Sequence, residues 1–124
     1  TYSKGLEFEL TDAVVKEIQR STPWKVTSSG GADTVLEGTI TDVELRKLAT
    51  QRDSGVVQEQ AVTMTVAFAF KDTRTGKTIV GREKFSASES FIPANPVRER
   101  IESGENATIQ RLARDIVSEL RSSW

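Results

Sequence analysis

The chain has 124 residues, with 17 Lys and Arg against 18 Asp and Glu, and it contains neither histidine nor cysteine. Thiolate, disulfide and imidazole chemistry are therefore excluded, as are zinc sites built from Cys and His. A hydrophobic content of 36% with 28% charged residues predicts one soluble domain over residues 1–124. The net charge of -1 argues against a surface that binds phosphate throughout, as nucleic-acid modules often have.

Residues 4–20 predict an amphipathic first helix. One side carries an apolar residue every fourth position and is widened by Phe8 and Val15, so it is expected to face a core. The stripe consists of Leu6, Leu10, Val14 and Ile18. The helix is expected to end at residues 21–23, because proline cannot continue it. A short edge strand at 24–27 and a flexible turn at 28–31 are predicted to follow.

Three longer strands are predicted next. In the first, 34–46, the apolar phase slips near Thr41 and Asp42, which indicates a β-bulge. A polar hairpin tip at 51–55 leads to the second, 61–70, whose apolar side must be core. That side consists of Val62, Met64, Val66, Phe68 and Phe70. The turn 72–76 predicts antiparallel pairing with the third strand, 77–88. Gly81 marks a candidate bulge there, and the pattern leaves open whether Arg82 or Glu83 faces inward.

The C-terminal part predicts one or two helical turns at 97–102, an interruption at 103–106, and a final helix over 107–121 with Asn106 as its N-cap. Its apolar side consists of Ile109, Leu112, Ala113, Ile116, Val117 and Leu120. The element order predicts an α+β fold: a two-layer sandwich with a mostly antiparallel sheet of about four strands and two helices packed on one face.

No residue pattern predicts a catalytic, cofactor or metal site. Carboxylates such as Asp33, Asp42 and Glu44 are scattered, without the spacing of a calcium loop or an acid/base pair. Gly30 and Gly31 lack the Lys-Ser/Thr of a P-loop, so they are interpreted as a turn.

Basic side chains gather near two predicted hairpins. They are Arg46, Lys47 and Arg52 at the first hairpin and Arg82 and Lys84 along the second. We hypothesise that these five bind an anionic ligand at one end of the sheet. The competing interpretation, that they protect strand edges from aggregation, carries more weight on sequence grounds.

The second face of the central strand carries no charge from Ala61 to Ala69, where a solvated sheet often shows Lys or Glu. An uncharged sheet face can dock a partner, and Thr63, Thr65 and Ala67 are the predicted docking residues. The alternative is that threonine simply forms strands well on an exposed face.

Four segments, taken in order, resemble the lipopolysaccharide-assembly lipoprotein (LptE-type) family. They are residues 5–11 (GLEFELT), 32–40 (ADTVLEGTI), 68–77 and 113–120. The resemblance implies a protein that is not an enzyme and needs no cofactor. It implies a lipid anchor on the periplasmic side of the outer membrane, binding to the outer-membrane β-barrel lipopolysaccharide translocon (LptD-type), and contact with lipopolysaccharide.

The family pattern also places a lipidated cysteine and a first strand before the first helix, and the printed sequence contains neither. We therefore expect both to lie upstream of Thr1 in the full-length protein, where the anchor makes the only contact with the membrane. The sheet would then have an edge with which another chain can pair.

The predicted order of helix, three strands and helix is also that of double-stranded-RNA-binding domains. Such a domain needs a basic N-terminus on its last helix, and residues 105–108 (ENAT) occupy the predicted position. Nucleic acid is therefore not the expected partner. A small hydrolase is disfavoured too, because no nucleophile and base are arranged together.

Overall fold

The computed structural model describes the backbone of residues 2–27, 29–50, 57–91 and 97–123. Two helices, α1 (Tyr2–Ser21) and α2 (Val97–Ser123), flank three strands in the chain: β1 (Thr34–Thr50), β2 (Val57–Asp72) and β3 (Thr78–Phe91). The strands form one antiparallel sheet in the order β1-β2-β3. The predicted α+β fold with both helices on one face is confirmed. The described residues contain three strands, slightly fewer than the predicted four.

The missing strand is the one predicted at 24–27, where the described backbone is irregular. Trp24 instead stacks against Phe70, with ring centroids 6.4 Å apart. Its backbone N–H donates to Oγ1 of Thr22 at 3.1 Å. This segment thus contributes the partly buried ring of Trp24 rather than a ladder of backbone hydrogen bonds. Within the flexible turn predicted at 28–31, the structure has one short 3₁₀ helix, Ser29–Gly31.

The phase slip in β1 is a real bulge. The register shifts between Ile40, opposite Val66, and Asp42, opposite Thr65. This extra residue keeps the apolar side chains of both halves of β1 on the side of the sheet that the helices cover. The predicted core residues of β2 are all buried, at 0–6% exposure: Val62, Met64, Val66, Phe68 and Phe70. The predicted hairpin tip at 51–55 lies outside the described residues.

Gly81, the candidate bulge position, pairs regularly with Ala69, and the register of β3 shifts instead at Glu83 and Lys84 and again near Ile79. Phe85 lies opposite Val66 and Arg82 opposite Phe68, so Glu83 and Lys84 together face Ala67. Arg82 and Phe85 are therefore both on the helix-covered side, where the Phe85 ring packs edge-to-face on Phe68 at 5.3 Å. This answers the question left open by the sequence: Arg82 is on the inner side of the sheet.

The predicted interruption at 103–106 is wrong, because α2 is continuous from Val97 to Ser123. Gly104 packs where the helix crosses Phe91, and a Cβ at this position would lie 2.7 Å from the ring atom Cδ1. Oγ1 of Thr108 donates to the Gly104 carbonyl at 2.8 Å and also contacts the Val62 carbonyl at 3.1 Å. Glycine therefore allows close packing here and does not end the helix, and Asn106 is not an N-cap.

The apolar stripes of the helices form most of the remaining core. The predicted apolar side of α2 is buried throughout, at 0–3% exposure. In α1, Leu6 and Val14 are buried and Leu10 and Ile18 pack against the core, as predicted. Phe8 was predicted to widen that stripe and does not, since it is 77% exposed. It lies too far around the helix to reach the sheet.

Candidate functional site

The sheet face away from the helices is the first candidate surface, and we call it the outer face. Its centre is the β2 row predicted from the sequence, from Ala61 to Ala69. Ala61 is buried, whereas Thr63, Thr65 and Ala67 are partly exposed. The structure thus brings the three predicted docking residues together on one side of the central strand. The side chains of all three are small and uncharged, so this part of the outer face is flat.

The neighbouring residues of β3 on the outer face also have small, uncharged side chains. Ser90, Ser88 and Ser86 pair with Ala61, Thr63 and Thr65 respectively. The hydroxyls of Thr63 and Ser88 hydrogen-bond to each other across the two strands. Serine and threonine hydroxyls can both donate and accept, so the face can adapt to either kind of polar partner group.

Within the described residues, charge on the outer face surrounds the central row, and Lys71 and Glu37 form an ion pair just beyond Ala69. Asp42 and Glu44 of β1 pair with Thr65 and Thr63 in the register. The Glu44 carboxylate lies 3.8 Å from Nε of Arg46, an exposed and weak ion pair. Glu83 and Lys84, in the β3 bulge, lie on the other side of the row. The centre of the face is therefore uncharged, with charged side chains along both sides.

The five predicted ligand-binding residues fall in different places. Arg46 is exposed on the outer face. Lys47 follows it in β1, but its side chain is not among the described ones. Arg52 lies outside the described residues. Lys84 is exposed in the β3 bulge. Arg82 is on the inner side, where Nη2 donates to Oε2 of Glu119 at 2.8 Å. Within the described residues, Arg82 is thus separated by the sheet from Arg46 and Lys84.

A groove between α1 and β1 is a feature that sequence reasoning missed. It has a volume of about 660 Å³, and its walls are mainly apolar. They include Leu10 and Ile18 of α1, Trp24, Leu36 of β1, and Phe68 and Phe70 of β2. The groove exists because α1 packs mainly against α2 and only lightly against β1. A sequence pattern gives a helix its apolar side but not its distance from the sheet.

Two carboxyl groups in the described part of the chain have a perturbed pKa. The hydrogen bond from Arg20 to Oε2 of Glu17, at 2.6 Å, lowers the pKa of that carboxyl. Burial raises the pKa of Glu105, whose residue is only 8% exposed. Neither group is among the predicted ligand-binding residues, and both lie on helices.

Two other kinds of functional feature are absent from the described residues. No group of three or more Asp, Glu, His or Cys residues in this part of the chain is placed to hold a metal ion. None of the described helices is long and apolar enough to span a membrane.

The continuous α2 weakens one sequence argument. Its N-terminus is at Val97, so residues 105–108 lie inside the helix and no longer argue against an RNA-binding domain.

The fold and the outer face define a small two-layer α+β domain with a flat sheet surface whose centre is uncharged. The sequence profile of the lipopolysaccharide-assembly (LptE) family matches residues 1–123, so the chain belongs to this family. The match spans nearly the whole chain and favours a role in lipopolysaccharide assembly over RNA binding. The resemblance inferred from the sequence is confirmed.

Solved structures of low sequence identity share the fold. A chain described as a lipoprotein from Caulobacter crescentus CB15 aligns with a TM-score of 0.66 at 13% identity, covering 93% of this chain and 80% of its own length. A minor lipoprotein from Acinetobacter baumannii aligns with a TM-score of 0.61 at 16% identity, covering 92% of this chain and 84% of its own length. Uncharacterized lipoprotein B from Nitrosomonas europaea aligns with a TM-score of 0.58 at 15% identity, covering 92% of this chain and 78% of its own length. Among curated proteins, none matches the chain in sequence.

Proposed function

We propose that this protein is a non-enzymatic adaptor in lipopolysaccharide assembly. In this role it docks on the outer-membrane β-barrel translocon through the outer face. The observation that carries the proposal is the uncharged row of Thr63, Thr65 and Ala67, left uncovered by both helices. Removing water from charged groups is the costliest part of burying a polar surface. Docking on the uncharged centre of the outer face requires little of it. The family match supplies the biological context.

The proposal includes a direct contact with lipopolysaccharide. The exposed guanidinium of Arg46 supports this proposal, because a guanidinium can bind a lipid phosphate, and Lys47 remains a candidate from its position in the sequence. Lys84, on the same side of the sheet, is a second candidate, and Arg52 remains a candidate from its position in the sequence. Arg82 already pairs with Glu119, so it is the weakest member of the predicted set.

We further propose a lipid anchor at the N-terminus of the full-length protein, on the periplasmic side of the outer membrane. The lipoprotein identity of three structural relatives supports this placement. Mass spectrometry of the protein purified from membranes tests it. An acylated N-terminal cysteine is expected, and an unmodified N-terminus would contradict the anchor.

Affinity purification of the full-length protein from cell envelopes tests the docking proposal. The wild-type protein should retain a β-barrel partner, and Ala67→Glu should lose it, because the substitution places a charge in the middle of an interface that must be desolvated on docking. Gln110→Glu is the matched control, since it adds the same charge on the exposed side of α2. Equal recovery of the partner by both variants would refute docking through the outer face.

A further inference from the structure

The side chain of Glu7 reaches from α1 to the outermost strand of the sheet. Its Oε2 accepts a hydrogen bond from the backbone N–H of Ile40 in β1 at 2.9 Å, between residues 33 positions apart in the chain. Hydrogen bonds to a carboxylate are roughly twice as strong as neutral ones. This bond is therefore a specific long-range tie between two elements that otherwise pack only lightly on each other.

The register shows which backbone groups of β1 face away from β2. The N–H of Thr73 donates to the carbonyl of Asp33 at 3.0 Å, so Asp33 points toward the hairpin of β2 and β3. Backbone groups of successive residues in an antiparallel strand alternate in direction. Leu36, Gly38 and Ile40 consequently direct their N–H groups to the open side, which agrees with the bond from Ile40 to Glu7.

An outward N–H on an edge strand is a site at which an added strand can pair, and proteins commonly block such sites. The Glu7 carboxylate occupies the position that the carbonyl of an added strand would take. Glu7 also lines the apolar groove between α1 and β1. One hydrogen bond thus sits both at the strand edge and at the wall of the groove.

We propose that Glu7 is a latch that holds α1 closed over the groove. Releasing it lets α1 move away from β1, which opens the groove and frees the Ile40 amide for pairing. The latch depends on neither the docking surface nor the lipopolysaccharide contact, and it stands or falls separately from them.

Amide hydrogen exchange, followed by NMR on the full-length protein, tests the latch residue by residue. Glu7→Ala should speed exchange at Ile40 by about tenfold or more, the factor that corresponds to losing one charge-assisted hydrogen bond. Glu7→Gln keeps an acceptor oxygen, so its exchange should lie between that of Glu7→Ala and wild type. Glu9→Ala, which removes an exposed carboxylate from the same helix, is the control and should leave Ile40 unchanged.

The opening of the groove needs its own measurement. Anilinonaphthalene sulfonate, a dye that fluoresces in apolar sites, should bind Glu7→Ala more strongly than wild type or Glu9→Ala. The amide of Thr39 faces β2 and should exchange slowly in every variant. Unchanged exchange at Ile40 in Glu7→Ala would overturn the latch, and so would faster exchange without extra dye binding. An equal response in Glu9→Ala would overturn it as well, because the effect would then not be specific to Glu7.

Discussion

Arg82 on the inner side of β3 donates from Nη2 to Oε2 of Glu119 on α2 at 2.8 Å, which ties the last strand to the last helix. The two side chains are 43% and 33% exposed, so solvent weakens the pair. We expect Arg82→Ala to lower the free energy of unfolding by no more than about 1 kcal/mol. Urea denaturation of both single variants and the double variant measures the coupling. A coupling energy of about 3 kcal/mol would contradict a solvent-screened pair.

Gly104 should be the least replaceable glycine in the helices. In Gly104→Ala the new methyl group lies 2.7 Å from Cδ1 of Phe91 and 3.3 Å from Cγ2 of Val62. We expect a net loss of about 1 to 2 kcal/mol, because overpacking outweighs the gain in helix propensity. Gly5→Ala is the control: nothing lies within 4 Å of the added Cβ, so it should stabilise by up to about 1 kcal/mol. Thermal unfolding of both variants checks the opposite signs.

Glu105 should make stability depend on pH in an unusual direction for a carboxyl group. Burial raises its pKa in the folded protein, so the folded state holds the proton to a higher pH than the unfolded chain does. Its contribution to stability therefore falls as the pH rises from the ordinary Glu pKa of about 4.3 through the raised value.

Glu105→Gln removes this dependence. The variant should be more stable than wild type near neutral pH, and the difference should disappear below the ordinary Glu pKa. Unfolding experiments over a pH series measure it, with the exposed Glu102→Gln as the control. A constant difference between Glu105→Gln and wild type at all pH values would show that the charge of Glu105 is not responsible.

The proposed lipid contact predicts a charge effect on binding. Replacing Arg46 and Lys47 together with alanine should weaken binding to lipopolysaccharide vesicles, and the loss should shrink as salt is added, because salt screens exposed charges. Stability should change little, since exposed charges contribute little to folding. Vesicle flotation at two salt concentrations checks this. Undiminished binding at low salt would remove these two residues from the lipid site.

Much of the fold can be predicted from the spacing of apolar residues along the sequence. The strict alternation of β2 and the helical stripe of α2 identify the core because burial enforces each pattern along its whole length. The bulge near Thr41 was visible as a slip between two apolar phases. The break expected near Gly104 was wrong because glycine there serves tertiary packing, which a single segment does not reveal.

Less of the candidate site could be predicted. The uncharged row on β2 follows from the sequence alone, since alternation assigns it to one face. The charged residues could not be placed in the same way, because the bulge at Glu83 and Lys84 decides the side on which Arg82 lies. The groove and the Glu7 latch depend on the distance between α1 and β1, which no local pattern encodes.

Docking through the outer face is the central claim, and site-specific photocrosslinking in cells tests it most directly. A photoreactive amino acid at Thr65 lies in the middle of the outer face, and one at Gln110 lies on the exposed side of α2. We expect the Thr65 probe to crosslink to the outer-membrane β-barrel and the Gln110 probe to give no such product. A barrel adduct from Gln110 with none from Thr65 would contradict the claim.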